Sequence, residues 1–286
     1  MRNISVLITD LDNTLFDWVE SWHRSFTAQL EAVRSRTGLS TEQLLSEFRL
    51  LHQKYGTSEY RFAAAELPSL SALDVSSEDL YNAATTAIDE AQRSALTLYP
   101  GVRETLAEIR QASTLVVGYT ESMQLYTKAR LAKLGLDDTI DYVYTPPNHE
   151  LPTALAGSTL LQWAGESARS RRTVYRLTPL GELKPNPKVL RDIMSAVGAN
   201  PRHTAYVGDS KLKDISMAQD AGVLDIWASY GAAQHREAYS LLRAVTHWTQ
   251  ETVELEKTYH APRAPTLVLQ ESFAELTQLL RFRPFS

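Results

Sequence analysis

Apolar residues recur along the chain with two different periods. Short runs of the buried-strand type, bounded by polar residues, fall at residues 4–8, 114–119, 142–144, 204–207 and 223–228. Between most of them the spacing lengthens to three and four residues, as at Val102, Leu106 and Ile109 behind the turn Tyr99-Pro100-Gly101. Strands alternating with helices predict an α/β fold with a Rossmann-like, doubly wound parallel sheet. In such sheets ligands bind beyond the carboxyl ends of the strands, so the chemistry is sought there.

The stretch between the first two strands reads almost wholly as helix. Ser40-Thr41-Glu42-Gln43 has capping-box form and is followed by Leu44, Leu45, Phe48, Leu51 and Tyr55 at helical spacing. Ser76 and Asp79 open a second helix with Leu80, Ala83, Ala84, Ala87 and Ile88 as its apolar stripe. About eighty residues exceed any single crossover helix. The expectation is therefore an inserted α-helical cap domain over 16–97, dividing a core made of 1–15 and 98–286. Two further insertions are expected. Residues 146–179 mix Pro-Pro, aromatic and basic residues, including Arg169, Arg171 and Arg172, without a clear period, and 232–258 is polar and helix-favouring.

The strand ends carry a restricted set of groups. The first ends in Thr9-Asp10-Leu11-Asp12-Asn13-Thr14, with two carboxylates two residues apart before residues that favour a turn. The second ends in Tyr119-Thr120-Glu121-Ser122, where Thr120 is a hydroxyl for a ligand, a cap for the following helix, or both. Leu183-Lys184-Pro185-Asn186-Pro187 opens a helix with a lysine biased to extended backbone by the proline after it. The last is Gly208-Asp209-Ser210-Lys211-Leu212-Lys213-Asp214. Clustered carboxylates repel unless a cation sits among them, and all-oxygen ligands suit a hard divalent ion such as Mg2+. A lysine beside that ion would neutralise phosphoryl oxygens. The set reads as a phosphoryl-transfer site.

In these residues the chain resembles the haloacid dehalogenase-like (HAD) hydrolase superfamily, in its phosphatase type with a C1 helical cap. Its four motifs match Asp10-Leu11-Asp12-Asn13-Thr14-Leu15, Thr120, Lys184 and Gly208-Asp209 through Asp214, in order. The stretch Leu98-Tyr99-Pro100-Gly101-Val102 is also similar to what members carry. The resemblance implies that Asp10 attacks phosphorus to form an aspartyl-phosphate, which water then hydrolyses. It implies that Asp12 is general acid and then base, that Thr120 and Lys184 bind the phosphoryl group, and that Asp10, the Asp12 backbone carbonyl and Asp209 hold Mg2+. Asp214 would ligate through water or orient Lys184. Haloacid dehalogenases lack an acidic residue two positions after the nucleophile, so Asp12 points to phosphotransfer. Glu121 departs from the uncharged residue that such phosphatases commonly have after the threonine. Facing the phosphate, it would repel substrate.

Composition limits the alternatives. With no cysteine among 286 residues, disulfides, thiolate nucleophiles and Cys-ligated metals are excluded. The histidines show no close metal-ligand pairing, since His235 and His247 are far apart and the rest are scattered. A net charge of −5 argues against nucleic acid or an anionic membrane as the main partner. No apolar run reaches membrane-spanning length and the opening one is too short for a signal peptide, so the expected location is the cytoplasm. The expected partner is a small phosphorylated metabolite. A sugar-phosphate mutase of the same superfamily and a non-catalytic binding protein on the same scaffold remain as alternatives. A signalling receiver fits poorly, because its phosphoacceptor follows the third strand, where Tyr144-Thr145-Pro146 offers none.

Overall fold

The computed structural model describes residues 1–150 and 172–286. The first strand signal divides at Ser5 into β1 (Arg2–Ile4) and β2 (Val6–Thr9). A helical block follows, formed by α1 (Trp18–Thr37), α2 (Thr41–Tyr55) and α3 (Ser77–Ala95). Then come α4 (Val102–Gln111), β3 (Leu115–Tyr119), α5 (Gln124–Leu134), β4 (Tyr142–Thr145) and β5 (Val174–Leu177). The rest is α6 (Pro187–Val197), β6 (Thr204–Gly208), α7 (Ser216–Ala221), β7 (Leu224–Ala228), α8 (Glu237–Val245), α9 (Gln250–Thr258), β8 (Leu267–Leu269), α10 (Glu275–Leu279) and β9 (Leu280–Phe282).

Seven strands form one parallel sheet in the order β5-β4-β3-β2-β6-β7-β8, and β1 pairs with β9 in a separate parallel ribbon. Strand β2 is central and buried along its whole length, as a strand covered on both faces must be. Alternate residues serve opposite layers. Leu7, Val116, Ala205 and Val207 pack with Leu106 and Ile109 of α4 and Leu131 of α5. Val6, Ile8, Val117 and Tyr206 pack with Leu190 and Ile193 of α6 and Met217 of α7. This is the doubly wound architecture expected. Thr9 lies in register with Gly118 of β3 and with Val207 of β6, so the chain leaves all three strands at one rim. That rim is the point where strand order reverses about β2.

The helical block starts from local signals. The Asp17, Ser40 and Ser76 side chains each accept a backbone N–H of the first turn of α1, α2 and α3 respectively. Its own core includes Val33, Leu44, Phe48 and Leu80. Two connecting segments return it to the sheet side by side, with Tyr99 N donating to Leu15 O (3.0 Å) and Asp17 N to Thr97 O (3.2 Å).

Two sequence expectations change. The stretch read as aperiodic contains β5, a sheet-edge strand whose four residues are too few to show alternation. Residues 151–171 of that insertion, with Arg169 and Arg171, lie outside the described residues. The polar stretch 232–258 is helical as expected, but it is not a free excursion. Tyr239, Leu242 and Val245 of α8 are buried in the same cluster as α1 and α2. His52 of α2 hydrogen-bonds the Val245 carbonyl (2.6 Å), and Arg236 pairs with Asp17 at the block's entrance (2.7 Å). Among the described residues, no helix is long and apolar enough to cross a membrane.

Candidate active site

The loop after β2 is built to hold Asp10 inward. Leu15 N and Thr14 N both donate to Leu11 O (2.9 and 3.2 Å), while Asn13 takes a left-handed conformation with φ of 60°. Asparagine tolerates that conformation better than most residues, and its side-chain Oδ1 accepts Val19 N of α1 at 3.0 Å. The Asn13 carbonyl lies against Gly231, where any Cβ would collide with it. Thr14 Oγ1 donates to Asp10 Oδ2 (3.0 Å), fixing the carboxylate.

Lys184 Nζ donates to the other oxygen, Asp10 Oδ1, at 2.6 Å and to Asp214 Oδ1 at 3.0 Å. It arrives through a cis Lys184-Pro185 bond just before Asn186, whose side chain caps α6 by accepting Val189 N (3.1 Å). The lysine side chain is 2% exposed and packs near the Tyr119 and Tyr206 rings. Burial disfavours its charge, yet Asp10 and Asp214 together hold it well above the usual ammonium range. Asp214 sits on a short π-helical turn, Lys211–Ile215, after β6. Its carboxylate also accepts Tyr206 Oη (2.8 Å) and Ser210 N (3.0 Å). Gly208 makes room for it, since a side chain there would overlap the Asp214 carboxylate.

Asp10, Asp209 and Asp214 each offer a carboxylate oxygen, and these oxygens lie within 4.8 Å of one another. One lysine cannot balance three buried carboxylates. Burial, with repulsion from Asp214 and Asp10, pushes Asp209 well above the usual carboxylate range. Burial also lifts Asp10 to about 7 against the pull of Lys184. A cluster of hard oxygen ligands with unbalanced negative charge fits a divalent cation of the Mg2+ kind. The Asp12 carboxylate is not part of this cluster. It accepts Thr120 Oγ1 (2.9 Å) and pairs with Arg130 of α5 (3.2 Å), leaving only its backbone oxygen for a cation.

The site thus brings together all six residues singled out in the sequence, Asp10, Asp12, Thr120, Lys184, Asp209 and Asp214, and corrects two local readings. Thr120 does not cap α5. Its hydroxyl accepts Ser122 N (3.0 Å), and Met123 is the residue before the helix. The first N–H groups of α5 are not free for an oxyanion either, since Gln124 N donates to Pro146 O and Leu125 N to Asn148 Oδ1. Glu121 does not face the cluster as a bare charge. It accepts Lys184 N (2.9 Å) and Lys213 Nζ (2.6 Å). Burial opposes its ionisation, but Lys213 and Lys184 hold its carboxyl below the ordinary range.

Sequence reasoning passed over Arg130 and Glu59. Arg130 ion-pairs with Glu59 from the segment between α2 and α3, and Glu59 also accepts Trp18 Nε1 (3.0 Å) and Ser122 Oγ (3.3 Å). An arginine among Leu125, Tyr126, Ala129 and Leu134 on the buried side of α5 was the available signal. Nothing local marks Glu59.

A buried aspartate at the switch point is thus clamped by a lysine beside a carboxylate cluster. Comparison with known proteins agrees with the motif resemblance. The model of the haloacid dehalogenase-like hydrolase family matches residues 4–222, and a second, HAD-hydrolase-like, matches residues 183–270. The chain belongs to the haloacid dehalogenase-like hydrolase family. It is 24% identical over 238 residues to a glyceraldehyde 3-phosphate phosphatase of Methanopyrus kandleri, covering 82% of this chain and 88% of that one. Its fold is similar to a 2-haloacid dehalogenase from Pseudomonas syringae (TM-score 0.57, 15% identity, 96% and 97% of the two chains). It is also similar to a HAD phosphatase from Thermococcus onnurineus (TM-score 0.52, 18% identity, 100% of both chains).

Proposed function

We propose that the protein is a cytoplasmic, Mg2+-dependent phosphatase that hydrolyses a small phosphorylated metabolite through an aspartyl-phosphate on Asp10. The observation that carries this reading is the convergence of Asp10, Lys184, Asp209 and Asp214 in one buried, charge-unbalanced cluster. In this reading residues 1–15 and 98–286 form the catalytic core and 16–97 the cap.

Asp10 is oriented by Thr14 and Lys184 so that one carboxylate oxygen attacks phosphorus as the bond to the leaving alcohol breaks. Asp12 gives the leaving oxygen its proton, then takes one from the water that cleaves the acyl-phosphate bond. Lys184 neutralises phosphoryl oxygens, and the Thr120 hydroxyl, which otherwise donates to Asp12, turns to donate to them. Asp10, the Asp12 backbone carbonyl and Asp209 would hold Mg2+, with Asp214 acting through water or by orienting Lys184. When bound, the ion supplies charge neutralisation for the incoming phosphate. Glu121 keeps the Lys184 backbone in place, so its presence does not favour a non-catalytic role. The relatives named for a three-carbon phosphate support a small substrate.

Phosphate release from a panel of phosphorylated metabolites with Mg2+ tests the reading. Turnover that disappears in Asp10→Asn supports it; no turnover of any phosphomonoester, or unchanged turnover in that variant, contradicts it. An isomeric product with phosphate retained would indicate the mutase instead.

A further inference from the structure

Beneath the helical block lies a cavity of about 60 Å³, walled by α1 and residues 58–61 on one side and α5 on the other. That is well above the roughly 10–15 Å³ that a single water needs, so the space can hold a small polar group. Trp22 supplies an apolar wall. The polar lining is unbalanced. Gln29, Arg61 and Arg130 all line the cavity at 4%, 9% and 7% exposure. Among the described residues, the buried nitrogens Gln29 Nε2, Arg61 Nε and Arg130 Nε find no hydrogen-bond partner. Buried donors without acceptors each cost about 1–3 kcal/mol, and three along one cavity call for an occupant rich in acceptors. Arg61, Arg130 and Lys133 line the space against one carboxylate, Glu59. Arg61 is paired with Asp89 and Arg130 with Glu59 and Asp12, while the exposed Lys133 is in no ion pair among the described residues. Arg130 also connects the cavity to the phosphoryl site, because the same guanidinium pairs with Asp12 at 3.2 Å.

We propose that this cavity receives a carboxylate on the leaving group, so that the substrate is a small phosphorylated hydroxy acid, with Gln29 and Arg61 as specificity-determining residues. The proposal rests on the phosphatase reading and adds the leaving group to it. A carboxylate presents two acceptor oxygens and one negative charge to the unpaired donors. An aldehyde or alcohol of the same length satisfies fewer of them.

The test is a three-carbon series alike except at one end: 3-phosphoglycerate, glyceraldehyde 3-phosphate and glycerol 3-phosphate, each assayed with Mg2+. Alongside it, binding of glycerate and of glycerol is measured by titration calorimetry. The expected result is kcat/KM for the acid at least about tenfold above the alcohol, and binding of glycerate but not glycerol. Gln29→Leu and Arg61→Met should shrink the acid-to-alcohol ratio, mainly through KM. A wild-type preference for the aldehyde or alcohol overturns the proposal with the phosphatase reading intact, and so do variants that lower all three substrates alike. Glycerate binding without turnover of any phosphomonoester upholds the cavity assignment and overturns the catalytic reading. Absence of glycerate binding overturns the cavity assignment whatever the turnover, and the wild-type comparisons require no variant to fold.

Discussion

Replacing Glu121 tests whether its charge belongs to the scaffold or opposes the substrate. Its partners are Lys213 Nζ at 2.6 Å and Lys184 N at 2.9 Å, with side-chain exposures of 25% for Glu121 and 19% for Lys213. Breaking a fully buried pair costs about 3–5 kcal/mol, whereas an exposed pair contributes about 0.2–1 kcal/mol. A pair this exposed falls between, at about 2 kcal/mol. Glu121→Gln keeps an acceptor for Lys184 N and should lose about that much. Glu121→Leu also strands the backbone N–H and should lose about 1 kcal/mol more. Urea unfolding of Glu121→Gln, Lys213→Met and the double variant gives the coupling directly, with about 2 kcal/mol expected. The double variant changes no net charge, so phosphate inhibition measured in it separates repulsion by Glu121 from attraction by a freed Lys213. The structure predicts no tighter phosphate binding in the double variant, and a lower kcat in Glu121→Leu, where the Lys184 segment loses its anchor. Tighter phosphate binding in the double variant, with no coupling in stability, would refute this reasoning.

Other outcomes follow from the same contacts. Asp209→Asn should raise the melting temperature of the metal-free protein by removing a repelled carboxylate, and should abolish the stabilisation that Mg2+ gives wild type, about 2.7 kcal/mol at a hundred times Kd; thermal melts in chelator and in Mg2+ check both. Burial lifts Asp10 from 3.8 to about 7, so its native form holds a proton that the unfolded chain has lost, and metal-free stability should fall as pH rises through that window; melts in chelator across it test the sign. His52 behaves in the opposite way. Burial lowers it from 6.5 to about 4, so the stability it contributes is present above 6.5 and about 3 kcal/mol is lost as pH falls to 4; a flatter acid slope in His52→Asn is the check. Gly208→Ala should displace Asp214 and cut kcat by at least about tenfold while the protein stays folded by circular dichroism, because the added Cβ takes the space of that carboxylate.

The central strands and the residues directly after them, Asp10, Thr120 and Asp209, were legible in the sequence because a parallel sheet buried on both faces writes continuous apolar runs, and its ligands come from the residue just past each run. Residues 4–8 read as one strand because Ser5 is a single polar interruption, too small a signal to separate the β1 ribbon from the β2 sheet strand. Edge strands β5 and β8 have four and three residues, shorter than any period can declare. Glu121 looked like a liability because its partner Lys213 lies on another strand end, 92 residues away in the chain. Arg130 and Glu59 are 71 residues apart and meet only when the helical block folds down on α5. The packing of α8 onto α1 and α2 is likewise long-range, and amphipathicity alone does not say which face will be covered.

The most direct test of the account is whether phosphate passes through Asp10. Wild type mixed with Mg2+ and a turned-over phosphomonoester, acid-quenched during turnover and digested, should yield the peptide containing Asp10 heavier by one phosphoryl group. That mass should vanish when the quench follows substrate exhaustion and should be absent in Asp10→Asn. Turnover with no such adduct at any time, or an adduct on another residue, would contradict the proposed mechanism.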